Sequence, residues 1–177
     1  MHPTKDKKMK KHFKYLSYLL RHKWYVTIEC FAIGLYWRGL VHDLSKFRPS
    51  EFIPYANYFY GDGNNINRGR NTTGYYKPTE TGDSKFEYAW FLHQKRNKHH
   101  WQYWVIPKEN GVKAYEIPLC YKREMLCDWI GAGKAQGKFS PKEDYLFETR
   151  IWWNANKDKM TFAPNTLAFF ETLLGNK

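Results

Sequence analysis

The chain has 177 residues, 42% hydrophobic and 19% aromatic, which is enough apolar material for one packed domain and too much for a disordered chain. Lys and Arg (29) outnumber Asp and Glu (17), and the formal charge of +12 favours anionic partners: a nucleotide, another phosphorylated small molecule or a nucleic acid. Cys30, Cys120 and Cys127 include no Cys-x-x-Cys pair, which excludes a disulfide framework and a zinc ribbon; the lysine-rich start lacks a signal-peptide apolar region, so a cytoplasmic chain is expected.

The first helix is expected over about residues 5–33, with Phe13, Leu16, Leu20, Trp24 and Ile28 as its apolar face and Gly34 at its end. His22 lies near its middle, a core histidine or an inward-pointing ligand. The apolar run 25–41 is broken by Glu29 and Arg38 and is too short and too polar for a bilayer span, so no membrane partner is expected. Residues 35–47 carry His42-Asp43-Leu44-Ser45-Lys46-Phe47, the densest chemistry in the chain. Pro49 suits a first helical position and opens a helix to about residue 60, with Phe52, Ala56 and Phe59 inward and Glu51 and Tyr55 one step round.

Residues 61–84 are rich in Gly, Asn and Thr and predict a long loop or lid, with Arg68, Arg70 and Lys77 suited to a phosphate. Residues 85–104 are helical in pattern. One unbroken helix would set His93, Asn97 and His100 on one face, with His93 and His100 about 20° apart. A break near Asn97 would turn His99 inward instead. Residues 105–117 predict a connection containing a short hairpin. Pro118 opens a helix to about residue 132, ended by Gly131 and Gly133, with Glu124 and Asp128 one turn apart on one face. Ser140-Pro141-Lys142-Glu143 reads as a capping box starting a helix to about residue 157, packed through Tyr145, Phe147, Ile151 and Trp152. A last helix covers 164–174, with Gly175 just past its end.

Neutral imidazoles and ionised carboxylates hold divalent metals. His42 and Asp43, adjacent on a helix and about 100° apart, approach one point from slightly different angles, and Asp128 from a later helix can close the site. His22, His93, His99 and His100 exceed what one ion needs and could hold a second or line the pocket. One or two ions are expected, drawn from Mn, Mg, Fe and Zn. Lys46, three residues after Asp43, is placed to bind a substrate phosphate or to pair with Asp43 or Glu124. Arg96 and Asn97 complete the candidate substrate-binding set, and Glu124 is a candidate base or an orienting group.

The ordered set His22, His42-Asp43, His93, His99-His100, Asp128 resembles the HD-domain metalloenzyme superfamily. The run from His42 to Lys46 followed by Pro49 is similar to the metal-binding core of HD cyclic-dinucleotide phosphodiesterases, although their Gly-Tyr-Pro signature is absent. His42 to Phe52, His93 to Trp104 and Glu124 to Gly133 also look like a family of small phage and bacterial proteins without an assigned activity. The superfamily resemblance implies a single all-α, HD-like helical bundle over residues 1–177. It implies His42, Asp43 and Asp128 as core ligands, with His22, His93 and one or both of His99 and His100 completing one or two sites. The implied activity is a metal-dependent phosphohydrolase acting on a nucleotide or related phosphate ester through activated water, with Lys46, Asp43 and Glu124 in catalytic roles. The alternatives are an HD-type di-iron oxygenase and a basic, phage-type module binding nucleic acid or a host protein around a structural metal.

Overall fold

The computed structural model describes residues 5–61, 80–138 and 144–175, with side chains described from residue 10 onward. The fold is predominantly α. Helices α1 (Lys5–Ala32), α2 (Tyr36–Val41) and α3 (Pro49–Tyr60) are followed by α4 (Ser84–Arg96), α5 (Leu119–Ala135), α6 (Phe147–Asn156) and α7 (Pro164–Leu174). Strands β1 (Val105–Lys108) and β2 (Gly111–Ala114) form the expected hairpin, antiparallel in the register Val105 to Ala114. The expected lid with Arg68, Arg70 and Lys77, and the Ser140–Glu143 capping box, lie outside the described residues. Among the described residues no helix is long and apolar enough to cross a membrane.

Two apolar clusters flank the centre of the molecule. On one side Tyr15 and Leu19 of α1 pack with Tyr55, Ala56 and Tyr58 of α3 and Phe86 and Ala89 of α4, the Tyr58 and Phe86 rings stacking at 3.9 Å. On the other, Ile117, Met125, Trp153, Phe170 and Leu174 join α5, α6 and α7. Between them α1 meets α5 through Val26, Cys30 and Cys127; all three cysteines are free.

Several helix faces differ from expectation. On α1 the buried residues are Tyr15, Leu19, His22, Val26, Glu29 and Cys30, whereas Phe13, Leu20, Trp24 and Ile28 are exposed. The larger apolar side chains define one periodic face, but the core takes the opposite one, which also carries the polar groups of the central cluster. Gly131 and Gly133 do not end α5, which continues to Ala135. A Cβ at Gly131 would stand 2.5 Å from Val26 Cγ2 and 2.9 Å from Val26 N, so this glycine permits the close approach of α1. Helix α6 starts at Phe147 rather than near residue 140, and it buries Thr149, Trp153 and Asn156 while Tyr145, Phe147 and Ile151 are exposed.

Candidate metal centre

Helix α2 is fixed to α1 through its carbonyls: Thr27 Oγ1 donates to Gly39 O (3.0 Å), and Lys23 Nζ to Leu40 O (2.6 Å) and His42 O (3.0 Å). The helix stops before the His-Asp pair. His42 is extended (φ −50°, ψ 129°) and Asp43 is left-handed (φ 55°, ψ 20°). Asp43 is the one non-glycine residue with positive φ among those described, a conformation that aspartate tolerates better than most and that recurs at functional sites. The pair therefore does not present a helical 100° step. Instead the backbone reverses its twist between the two residues, and both side chains turn inward, each 1% exposed. A 3₁₀ turn over Leu44–Phe47 follows, closed by Lys46 N–H donating to Asp43 O, and Lys46 Nζ lies 2.5 Å from Asp43 Oδ2.

The second break is at Asn97, where the backbone becomes extended (φ −120°, ψ 108°) and ends α4. Asn97 Nδ2 donates to His93 O (2.8 Å) and to Ser45 Oγ (2.7 Å), tying this break to the His-Asp turn. The continuous helix 85–104 is thus replaced by α4, a turn and a 3₁₀ segment at Trp101–Trp104. The turn brings both members of the adjacent pair inward. His99 Nε2 lies 3.3 Å from Asp43 Oδ1, and His100 Nε2 lies 2.8 Å from His93 Nε2.

Two groups of ligand-type atoms result, sharing one carboxylate. His22, His42, Asp43 and Asp128 form the first: His22 Nε2 is 3.2 Å from Asp128 Oδ1 and 3.5 Å from Asp43 Oδ2, and His42 Nε2 is 3.5 Å from both oxygens. Asp43, His93, His99 and His100 form the second, through Asp43 Oδ1. Donors bound to one ion at about 2.0–2.2 Å stand about 2.8–3.6 Å apart, and the contacts given for the two groups run from 2.8 to 3.5 Å, with all ligand atoms of a group within 4.8 Å of one another. His22 Nε2, His42 Nε2, His99 Nε2 and Asp43 Oδ1 are buried and make no aligned hydrogen bond. Buried polar atoms of this kind need a partner, and a cation in each group would supply one.

Carboxylates outside the groups orient the rings. Glu124 Oε1 accepts from His42 Nδ1 (3.1 Å) and lies 3.2 Å from His99 Nδ1, while Glu124 Oε2 accepts from Arg38 (3.1 Å). Glu51 Oε2 accepts from His93 Nδ1 (2.9 Å), with Arg96 on its other oxygen at 2.6 Å. A proton held on Nδ1 by a carboxylate leaves the Nε2 lone pair for a metal, the arrangement usual around metal-ligating histidines. His42, His99 and Glu124 also satisfy the spacing of a ligand group, but these Nδ1 contacts assign them to support.

The electrostatics follow from burial and proximity. Burial lowers the pKa of His42, but Asp43, Asp128 and Glu124 outweigh it and lift the ring to about 10. Burial likewise works against the Asp43 charge, yet His42, Lys46 and His93 hold its carboxyl well below the usual range. Glu124 is raised by burial and then drawn down to about 2 by hydrogen bonds from His42 and His99. His93 and His100 are lowered, chiefly by burial. Without a metal, protons on His42 and His99 share the balancing of the carboxylates that a divalent ion would take over.

All seven sequence-derived ligand candidates (His22, His42, Asp43, His93, His99, His100 and Asp128) converge in the two groups. Lys46 pairs with Asp43 and remains 17% exposed. Glu124 is enclosed by His42, His99 and Arg38 and therefore positions rings rather than facing a reactant. Arg96 Nη1 is engaged with Glu51 and Ser50, and Asn97 with Ser45 and His93, so both tie the site together, while the Arg96 side chain stays 28% exposed. Glu51, Ser45 and Arg38 were not singled out for these roles from sequence. A first-turn helical glutamate reads as favourable capping charge, and only its complete burial reveals the contact to His93. The chain belongs to the family of unknown function DUF5662, whose model matches residues 11–176. No curated protein and no solved structure matches it.

Proposed function

We propose that the chain is a metal-dependent phosphohydrolase of the HD type, holding two divalent ions across Asp43 and acting on a nucleotide or related phosphate ester. The observation that carries the reading is the division of one carboxylate: Asp43 Oδ2 faces His22 and His42, and Asp43 Oδ1 faces His93 and His99. The nitrogen-rich donor set suits Fe or Zn better than Mn or Mg, which favour oxygen ligands. A bound divalent pair supplies Lewis acidity that activates water and neutralises charge on a phosphoryl group.

The protein's own groups contribute orientation and charge. Glu124 and Glu51 fix three imidazoles in the tautomer that leaves Nε2 free. Among the described residues, Asp43, Glu51, Glu124 and Asp128 face Arg38, Lys46 and Arg96, and Lys23 adds a fourth permanent cation near Asp43 and Glu124. Two divalent ions would leave the centre net positive, which favours an anionic ester over a neutral substrate. Lys46 holds Asp43 Oδ2 and its side chain is 17% exposed, so it is the cation of the centre that a phosphate would meet beside Asp43. A di-iron oxygenase is the second reading, favoured by the same nitrogen-rich set, which iron accepts well.

The test is reconstitution with Mn, Fe, Zn or Mg, followed by elemental analysis, hydrolysis of bis(p-nitrophenyl) phosphate and of nucleotides, and oxygen uptake. The phosphohydrolase reading expects two ions per chain and phosphate-ester cleavage. Asp43→Asn, which keeps the shape and tolerates the left-handed backbone, should lose both while remaining folded. Oxygen uptake by the iron form without ester cleavage selects the oxygenase, and wild-type protein that binds no metal overturns both.

A further inference from the structure

The outward face of α1 is apolar as well as the inward one. Phe13, Leu20, Trp24 and Phe31 lie within about 40° of one another on the helix and opposite the buried residues. Trp24 is 65% exposed and Phe13 67%. Helix α2 widens this stripe. Its carbonyls are bonded to Lys23 and Thr27 on the flank of the stripe, the Phe31 and Tyr36 rings meet at 5.2 Å, and Trp37 (73%) and Leu40 (52%) are exposed. Isolated exposed apolar residues are ordinary, but a run of this kind marks a surface that meets something.

Among the described side chains, the exposed charges of α1 and α2 have one sign. From Lys10 to Phe47 the sequence contains two acids, Glu29 and Asp43, and both are buried. Glu29 is occupied by Lys134 and Tyr145 behind the helix. Lys10, Lys14 and Arg21 are exposed along one flank of the stripe, about 60–100° from Phe13. Pairing with a second copy through an isologous contact would set this face against itself, and cations without exposed carboxylates cannot complement their own image. The aromatic rings of this face could stack on bases, but Leu20, Ile28 and Leu40 among them suit an acyl boundary, and a single-stranded nucleic acid is the outcome that binding to oligonucleotides but not to anionic vesicles would select.

We propose that this face docks on an anionic lipid surface, with α1 lying along it. The tryptophans and aliphatic side chains enter the headgroup boundary and Lys10, Lys14 and Arg21 meet the anionic headgroups, the pattern of an interfacial amphipathic helix. The site at His42-Asp43 stays on the opposite side of α1, so docking would leave its ligands in place.

Sedimentation with phosphatidylcholine vesicles, with and without phosphatidylglycerol, tests this on the full chain. The protein should pellet with the anionic vesicles and remain in solution with the neutral ones, and added salt should release it. Trp24→Ser with Leu20→Ser, both on exposed positions, should lower partitioning about tenfold or more with an unchanged circular dichroism spectrum. Lys14→Gln and Arg21→Gln should each lower it about fivefold. Absence of binding, or equal binding to both vesicle types, overturns the proposal. So does a dimer in light scattering that Trp24→Ser separates, which assigns the face to a second copy.

Discussion

Glu124→Gln offers the sharpest test of the paired metal centre, because one carboxylate oxygen serves histidines from both groups. Glu124 Oε1 lies 3.1 Å from His42 Nδ1 and 3.2 Å from His99 Nδ1, while Oε2 accepts from Arg38 at 3.1 Å. Glutamine has nearly the same shape but one acceptor instead of two. If its oxygen faces the histidines, its NH₂ group confronts the Arg38 guanidinium, donor against donor. If it turns over, its NH₂ faces both Nδ1 atoms and drives their protons onto Nε2, the atoms aimed at the metals. Loss of such an orienting partner typically weakens metal binding by about 10–100-fold, or about 1.4–2.7 kcal/mol per ion. Because His42 and His99 belong to different groups, the loss should fall on both ions.

Titration of metal-free protein with Mn²⁺ or Zn²⁺, read by calorimetry and by elemental analysis after gel filtration, resolves the two binding events. Glu51→Gln provides the contrast, since Glu51 supports His93 alone among the ligand histidines and should weaken only the second group. If Glu124→Gln weakens one ion and leaves the other within about twofold, where a supporting contact would have cost tenfold, the shared role of Glu124 is refuted. Its circular dichroism spectrum should match wild type, which separates the effect from unfolding.

Gly131→Ala should destabilise the chain by about 1–3 kcal/mol in urea unfolding, as over-packing does, because the new Cβ meets Val26 at 2.5 Å; adding Val26→Ala should recover only part, since the 2.9 Å contact is to backbone N. Trp153→Ala, at a fully buried position against Trp129, Phe162 and Phe170, should cost about 3–5 kcal/mol and lower the melting temperature. In the metal-free chain His42 is lifted to about 10. Its stabilising contribution is therefore complete below the unfolded value near 6.5 and is lost as pH rises through about 10. Over the same interval metal affinity should increase, because the proton on His42 must leave before Nε2 can bind; calorimetry in buffers of different ionisation enthalpy counts the released protons.

Much of the centre was legible in the sequence because its chemistry is concentrated in few residue types. Six of the seven ligand candidates are a histidine or the aspartate beside one, and the seventh, Asp128, lies one helical turn from Glu124. What the sequence could not supply was backbone direction. Helical periodicity carries His42 into Asp43, and Asn97 into His100, without interruption. The left-handed Asp43 and the extended Asn97 break it at both places, and those breaks let neighbouring side chains point into the same small volume. The stabilising contacts that hold the breaks, Asn97 to Ser45 and Lys46 to Asp43, connect segments that no local pattern relates.

The misread face of α1 has a related cause. Hydrophobic periodicity weighs Phe13, Leu20, Trp24 and Ile28 above the smaller Val26 and Cys30 and above the polar His22 and Glu29, yet burial runs the other way. A helix that must deliver His22 to Asp128 cannot also turn Trp24 into the core, since the two positions are about 160° apart on the helix. His22 burial leaves Nδ1 and Nε2 without aligned hydrogen bonds, a cost that a close-packed apolar face would have avoided. A cation held between His22, His42, Asp43 and Asp128 would offset that cost. Metal-free protein should accordingly show weaker amide-exchange protection around His22 than the metal-loaded protein, while the Trp153 cluster changes little. Equal protection in the two states would mean that core packing alone sets the orientation of α1.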